Sequence, residues 1–248
     1  MIVTIKVNQP EAEIHLVDLK EGVDIAPLAV CPGMYAYLNV QATANMLRNV
    51  LGDIQRRLAL LKTRGMNDIG LFFASDEFKK MSEAERAAHD LGRRLFVVVD
   101  ECAELMLFSP GKDGAVTRET RGALSKIARL GRAAGVHLIL GTQRPDKSAV
   151  DPQVKSNLTT IVCFRLNDIG GSLAVLGTGR ANDLPKIKGR VILQHGSDEI
   201  EVQTPYLDFM AGLAELKPPD TANKKKISPT ESLILLSEDS DGKTTPKA

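Results

Sequence analysis

Residues 95–101 read Leu-Phe-Val-Val-Val-Asp-Glu and follow directly on Arg93 and Arg94. Five apolar residues, mostly β-branched or aromatic, make a run too short for a helix and too apolar for an exposed strand. A strand buried on both faces, as in a parallel sheet, satisfies that composition. The run stops on two adjacent carboxylates, Asp100 and Glu101, where a core strand leaves its sheet. Ligands of open α/β sheets sit at the carboxyl ends of the strands. An Asp there can hold Mg²⁺ through water, and a neighbouring Glu can orient or deprotonate an attacking water, which is the shape of a Walker B element. A buried strand ending in an acidic turn also occurs in α/β proteins without such chemistry, so the rest of the chain has to decide.

Earlier residues supply two further strand candidates. Ile2–Val7 is β-branched, and Asn8-Gln9-Pro10 breaks it; Ile14–Asp18 again ends in a carboxylate and is followed by Lys20, Glu21 and Gly22. His15 reads as a packed strand residue, because no second His or Cys stands at ligand spacing. Residues 23–38, with Pro27, Pro32 and Gly33, read as a loop or crossover. Ala44, Leu47, Leu51, Ile54, Leu58 and Leu61 then recur at steps of three and four, which predicts a helix over about 40–62 with Gly65 as its stop. Arg48, Arg56 and Arg57 fall on its other faces and read as solvated charge or as phosphate contacts. Early acids at Glu83 and Glu85 predict a short helix into the 95–101 strand.

Residues 109–116 are a loop by composition, and Thr117 can cap a helix reaching Ala134. Val136–Gly141 is another buried-type strand, opening into Thr142-Gln143-Arg144-Pro145. A Thr-Gln pair at a strand's carboxyl end can sense a γ-phosphate or hold a lytic water, since Gln both donates and accepts hydrogen bonds; an ordinary strand exit stopped by Pro145 gives the same tetrapeptide. Beyond it, 150–158 suits a short helix and Thr160–Leu166 a strand with an unusual charge, Arg165. A glycine-rich stretch follows, and 190–194 with 199–203 flank a hairpin turn.

Bulk properties narrow the function classes. The 248 residues are enough for one large α/β domain or two small ones, and 43% hydrophobic with 25% charged residues is ordinary globular composition. A net charge of +1 gives no overall field drawing the chain to nucleic acid, so any DNA contact needs a local patch or an assembled ring. Cys31, Cys102 and Cys163 stand at wide, unpatterned spacing, which suits reduced cytosolic thiols and no metal site. No run approaches the roughly 20 apolar residues of a membrane span.

Three pieces stand in one order: LFVVVDECAEL from Leu95, LGRAAGVHLILGTQRP from Leu130, and Ile161–Leu166 followed by Leu176-Gly177-Thr178-Gly179 and Gly189-Arg190-Val191. That order resembles the motor domain of the FtsK/SpoIIIE family of hexameric DNA translocases and of its conjugative relatives. Glu11–Gly22 also resembles the strand after that family's nucleotide-binding helix, and the likeness covers roughly residues 10–207. The resemblance implies a RecA-like P-loop NTPase fold, a three-layer α/β architecture with a mostly parallel sheet. It implies ATP and Mg²⁺ as cofactors, with Asp100 as the Mg²⁺-linked carboxylate, Glu101 as catalytic base, and Thr142 and Gln143 facing the γ-phosphate. A neighbouring subunit's arginine reaches the nucleotide in such rings; Arg165, Arg180 and Arg57 are the candidates, while Arg144 holds its loop. Double-stranded DNA gripped by its backbone, a homo-hexamer and a cytoplasmic location belong to the same expectation, with membrane tethering only through a separate region.

The family's Gly-rich phosphate loop, Walker A, is expected before residue 10, yet none of Met1–Gln9 is glycine. Ser237–Thr244 ends in Gly-Lys-Thr but starts on Ser and carries three acids that repel phosphate. The RecA-like fold is therefore expected to be incomplete at the N-terminus, lacking the phosphate-loop strand and helix, with residues 1–207 a partial ATPase domain and 208–248 a disordered tail. On that expectation the chain is the C-terminal part of a DNA-translocating ATPase, either a truncated piece or a half that co-assembles with a chain supplying Walker A, or else is a non-catalytic ring-assembly or DNA-binding module.

Overall fold

Short apolar strands separated by helical segments leave one arrangement that covers both strand faces, a parallel sheet between helix layers. The computed structural model, which describes residues 1–20, 22, 25–88, 91–106, 114–143 and 150–216, has that arrangement. The chain opens with α1 (Ile2–Asn8), β1 (Glu13–Asp18), a 3-10 turn (Ala26–Leu28) and β2 (Met34–Tyr37). Next come α2 (Val40–Thr63), α3 (Ile69–Ala74), α4 (Asp76–Lys80), α5 (Glu83–Ala88) and β3 (Leu95–Asp100). Then α6 (Ala103–Met106) and α7 (Gly114–Leu130) lead to β4 (Val136–Leu140). These strands form one sheet in the order β2-β1-β3-β4 with every pairing parallel. Asp18 lies opposite Asp100 and Val99 opposite Leu140, so β1, β3 and β4 all release their chains at the same edge of the sheet.

Alternation along the strands divides the core. Val17, Leu95, Val97 and Val99 pack against Leu47, Val50 and Ile54 of α2 and Leu124 and Ile127 of α7. Ile14, Leu16, Met34, Ala36 and Phe96 face the other way, towards Ile2 and Ile5 of α1. Helix α2 starts where the Asn39 side chain accepts from the Ala42 N–H at 2.7 Å, satisfying one of the donors a helix start leaves open. The predicted strand at 2–7 is a helix instead. Its β-branched residues favour extended backbone only where a neighbouring strand can pair with them, and here Ile2 and Ile5, one turn apart, gain burial in the cluster that holds Leu213 and Leu216. Within the expected 23–38 loop, Met34–Tyr37 forms β2 at the edge of the sheet. His15 is a packed strand residue as expected, bonded through Nδ1 to the Tyr37 hydroxyl at 2.9 Å and through Nε2 to Glu13 at 3.0 Å.

The three arginines of α2 divide. Arg48 pairs with Glu119 of α7 at 2.8 Å and Arg56 with Asp53, both at the surface. Arg57 is only 1% exposed, and its Nη1 donates to the Ala134 carbonyl at 2.9 Å. Neither a solvated charge nor a phosphate contact describes it. Thr117 likewise caps nothing: α7 starts at Gly114, and Thr117 is buried inside it.

The remaining elements are α8 (Pro152–Lys155), β5 (Thr160–Phe164), α9 (Ile169–Leu176), α10 (Arg180–Asp183), β6 (Arg190–His195), β7 (Asp198–Gln203) and α11 (Phe209–Leu216). The predicted hairpin is β6–β7, and with β5 it makes an antiparallel sheet in the order β5-β6-β7. One face of it, Cys163 and Ile192, packs on Leu176 of α9, Ala181 of α10 and Leu184. The glycine-rich stretch forms α9 because Asp168 accepts from the Gly171 N–H at 2.7 Å and so starts a helix. Order also extends past 207: Leu213 and Leu216 of α11 are buried in the α1 side of the core. Residues 217–248, with Ser237–Thr244, lie outside the described residues.

His137 of β4 supplies a pH test of this core. Its ring stacks on Phe96 with centroids 4.9 Å apart, and its Nε2 lies 3.3 Å from Nη1 of Arg94. Burial, with the Arg94 charge beside it, holds the imidazole below its usual 6.5. The folded state thus stays neutral while the unfolded chain takes up a proton near pH 6.5, so this contribution to stability is full above that pH and falls as the pH drops towards the lowered value. Thermal melts from about pH 7.5 to about 5.5 should show a decline in Tm that His137→Gln reduces; an equal decline in both proteins would exclude this origin.

Candidate active site

Two backbone hydrogen bonds stitch the exits of β3 and β4 together. Gly141 N–H donates to the Val99 carbonyl at 2.8 Å, and Cys102 N–H donates to the Gly141 carbonyl at 2.7 Å. They bring Thr142 and Gln143 against Glu101. The Glu101 Oε1 accepts from the Thr142 hydroxyl at 2.6 Å, and its Oε2 accepts from the Gln143 backbone N–H at 2.9 Å. Lys20, two residues beyond β1, places Nζ 3.4 Å from the same Oε2. The Glu101 side chain is 3% exposed, whereas Asp100 beside it is exposed.

Burial alone would raise the Glu101 pKa, but the bonds from Thr142 and Gln143 and the Lys20 charge outweigh it and hold the carboxyl below its usual 4.5. Glu101 is therefore an anion at neutral pH, able to accept a proton. Its φ of +49° is the one left-handed value among the described non-glycine residues. Cys102 offers no nucleophile here, since burial and the carboxylates at 101 and 100 push its thiol up to about 12. Among the described residues no three of His, Cys, Asp and Glu gather into a group that could hold a metal by themselves.

Four of the predicted site residues, Asp100, Glu101, Thr142 and Gln143, thus meet at one place. Gln143 meets Glu101 through its backbone, and its side chain is exposed. Arg165 lies elsewhere, just past β5, where Nε donates to the Leu184 carbonyl at 2.9 Å and Nη1 bonds Asn167. Arg180 pairs with Glu199 at 3.2 Å. Arg57, at 1% exposure, cannot extend to another subunit. Arg144 lies outside the described residues. Lys20 was missed; its signal was a strand ending in Asp18 followed by a lysine, which becomes informative once β1 is known to lie beside β3.

The FtsK/SpoIIIE family model matches residues 6–147, more than half of the 248. The chain belongs to the FtsK/SpoIIIE family. Among curated proteins it is 27% identical over 206 residues to DNA translocase SftA of Bacillus subtilis (strain 168), covering 77% of this chain and 20% of SftA. It is 28% identical over 227 residues to DNA translocase FtsK of Pseudomonas aeruginosa, covering 77% of this chain and 26% of that protein. The chain therefore spans about a fifth to a quarter of these relatives. Among solved structures, the monomer of the pCW3 conjugation coupling protein TcpA with ATPγS superposes with a TM-score of 0.74 at 29% identity, covering 94% of this chain and 59% of that one. EssC (ATPases 2 and 3) from Geobacillus thermodenitrificans shares the fold, with a TM-score of 0.64 at 17% identity and coverage of 95% and 39%. The parallel sheet between helix layers is thus the RecA-like α/β fold of P-loop ATPases.

Family membership also gives the GRAAGVHLIL stretch a physical meaning. A Cβ on Gly131 would stand 2.6 Å from the Val136 carbonyl oxygen and 2.7 Å from that of Ile127, both backbone atoms that cannot move aside. Gly135 sits at φ +70°, where a side chain would also strike Ile69 at 2.7 Å. These two glycines let α7 turn back tightly enough to aim β4, and with it Thr142, at Glu101.

Proposed function

We propose that these residues form the hydrolytic half of a nucleotide site in an ATP-driven motor that moves double-stranded DNA. The observation that carries the reading is Glu101, a buried carboxylate kept ionised and held by Thr142 and Gln143 beside an exposed Asp100, at the carboxyl edge of a parallel sheet. Glu101 is the general base, taking a proton from water at one carboxylate oxygen. Thr142 and Gln143 set the direction of that carboxylate, and the exposed Gln143 side chain is available to the attacking water or the γ-phosphate.

An exposed carboxylate fits Mg²⁺, which keeps most of its waters and needs only one or two protein carboxylates besides phosphate oxygens. Asp100 would hold it, and the bound ion would neutralise phosphate charge. The β- and γ-phosphates need a Gly-rich loop of backbone N–H groups with a lysine, and that loop would come from a further segment or chain of the assembly. The arginine completing the site would come from a neighbouring subunit of a hexamer, with the half-buried Arg165 and the exposed Arg180 as candidates. DNA would be held by its phosphates without regard to sequence, and with a net charge of +1 a single chain would bind weakly and salt-sensitively. No described helix is long and apolar enough to cross a membrane, and a cytoplasmic location is part of the same proposal.

ATP hydrolysis by the purified protein, alone and mixed with a segment carrying GxxxxGK[ST], with and without duplex DNA, tests the reading. Hydrolysis stimulated by DNA in the mixture is the expected result. Its absence under every condition would overturn the enzymatic reading and leave a ring-assembly or DNA-binding module.

A further inference from the structure

Among the described residues the Glu101 carboxylate is met by three donors, and one of them, Lys20, comes from an element the catalytic motif does not contain. Strands β1 and β3 run parallel with Asp18 opposite Asp100, so the chain two residues past Asp18 arrives beside the chain one residue past Asp100. Asp18, itself 5% exposed, accepts from the Lys20 backbone N–H at 2.8 Å and closes the turn that points the lysine at the site. The Lys20 side chain is 46% exposed along its length, while the carboxylate it reaches is 3% exposed.

The division of donors between the two oxygens matters. A carboxylate offers about four lone-pair sites, two on each oxygen. Among the described residues, Oε2 receives both the Gln143 N–H and Lys20 Nζ, whereas Oε1 receives the Thr142 hydroxyl alone. Both sites on Oε2 are occupied, and one site on Oε1 is left. Without Lys20, one site would stand open on each oxygen, so a water could be met on either side, and the carboxylate, tied by two neutral donors alone, could turn away from both. A general base that must meet one water in one direction loses rate when its orientation is shared among poses.

We infer that Lys20 is a positioning residue for the base: by filling the second site of Oε2 it holds the Glu101 carboxylate on its two neutral donors and leaves the proton-accepting site on the oxygen bonded to Thr142. The inference rests on the proposal that Glu101 is the base. It requires no contact between Lys20 and nucleotide.

Amide hydrogen exchange followed by NMR on the purified chain tests the geometric half. The Gln143 N–H reports directly on the Oε2 bond. Lys20→Met should speed its exchange about tenfold while leaving the amides of β4 unchanged, and Lys20→Arg, which keeps the charge, should restore the slow rate. If Lys20→Met does not fold, Lys20→Gln takes its place. Unchanged Gln143 exchange in a folded variant overturns the inference.

Steady-state hydrolysis in the assembled motor tests the chemical half. Lys20→Met should lower kcat about tenfold with KM for ATP unchanged, and Lys20→Arg should recover most of the loss. A raised KM at unchanged kcat would mean that Lys20 touches the nucleotide, which also overturns the inference. The two ideas separate through Glu101→Gln: full turnover in that variant refutes the base itself, whereas loss of turnover there with no effect of Lys20→Met refutes only the positioning role.

Discussion

Glu101→Gln is expected to leave ATP binding intact and to lower turnover by about 10²–10⁴-fold, the usual contribution of a positioned general base. The amide has nearly the same shape, so β3 and its exit loop keep their packing, and its oxygen can still accept one of the bonds now made by Thr142 and Gln143. What disappears is the negative charge, and with it the capacity to take a proton at neutral pH. Measuring nucleotide affinity and steady-state hydrolysis on the same preparation decides the matter. Equal losses in both would mean that Glu101 holds the nucleotide rather than acting on water, and the roles given to Asp100 and Glu101 would have to be exchanged.

Arg57→Ala should lower the unfolding free energy by about 2–5 kcal/mol, the range for removing a large buried side chain. Arg57 is among the largest fully buried side chains of the protein, and its guanidinium reaches across from α2 to the Ala134 carbonyl, just before β4 begins. The substitution leaves a cavity and also takes a donor from a buried carbonyl. Arg57→Met separates the two effects, since it refills much of the space but loses the polar contacts of the guanidinium, of which the unpaired Ala134 carbonyl costs about 1–3 kcal/mol. Urea titrations of the three proteins give these differences. A loss well under about 1 kcal/mol in Arg57→Ala would show that the guanidinium is not what ties α2 to β4. The same burial changes the functional picture of α2, which presents Arg48 and Arg56 to its surroundings but not Arg57.

The parts of this fold that were legible in the sequence are those where one local signal suffices. The runs at 95–100 and 136–140 are apolar throughout, so a buried parallel strand is the natural solution; the three-and-four spacing of Leu47, Leu51, Ile54, Leu58 and Leu61 marks α2; and the polar turn between two β-rich runs marks the β6–β7 hairpin. Parallel neighbours expose their carboxyl ends together, and with the resemblance to the FtsK/SpoIIIE motor domain this gathers Asp100, Glu101, Thr142 and Gln143 into one expected site. What could not be read depended on distant partners. Ile2 and Ile5 look extended until α11 offers them a surface, and β2 is only four residues set among Pro and Gly. Arg57 looks solvated because an arginine on a helix flank usually is; nothing local announces that the Ala134 carbonyl waits 77 residues away. Lys20 needed the strand order, since its neighbour across the sheet edge is 81 residues distant.

The left-handed backbone at Glu101 has a meaning for how this chain can change over generations. That conformation costs an L-residue roughly 1–2 kcal/mol, and glycine or asparagine would adopt it with much less strain. Glu at φ +49° is held against the preference of its own backbone by the bonds its carboxylate makes to Thr142, Gln143 and Lys20, so loss of those partners would open position 101 to the residues that backbone prefers.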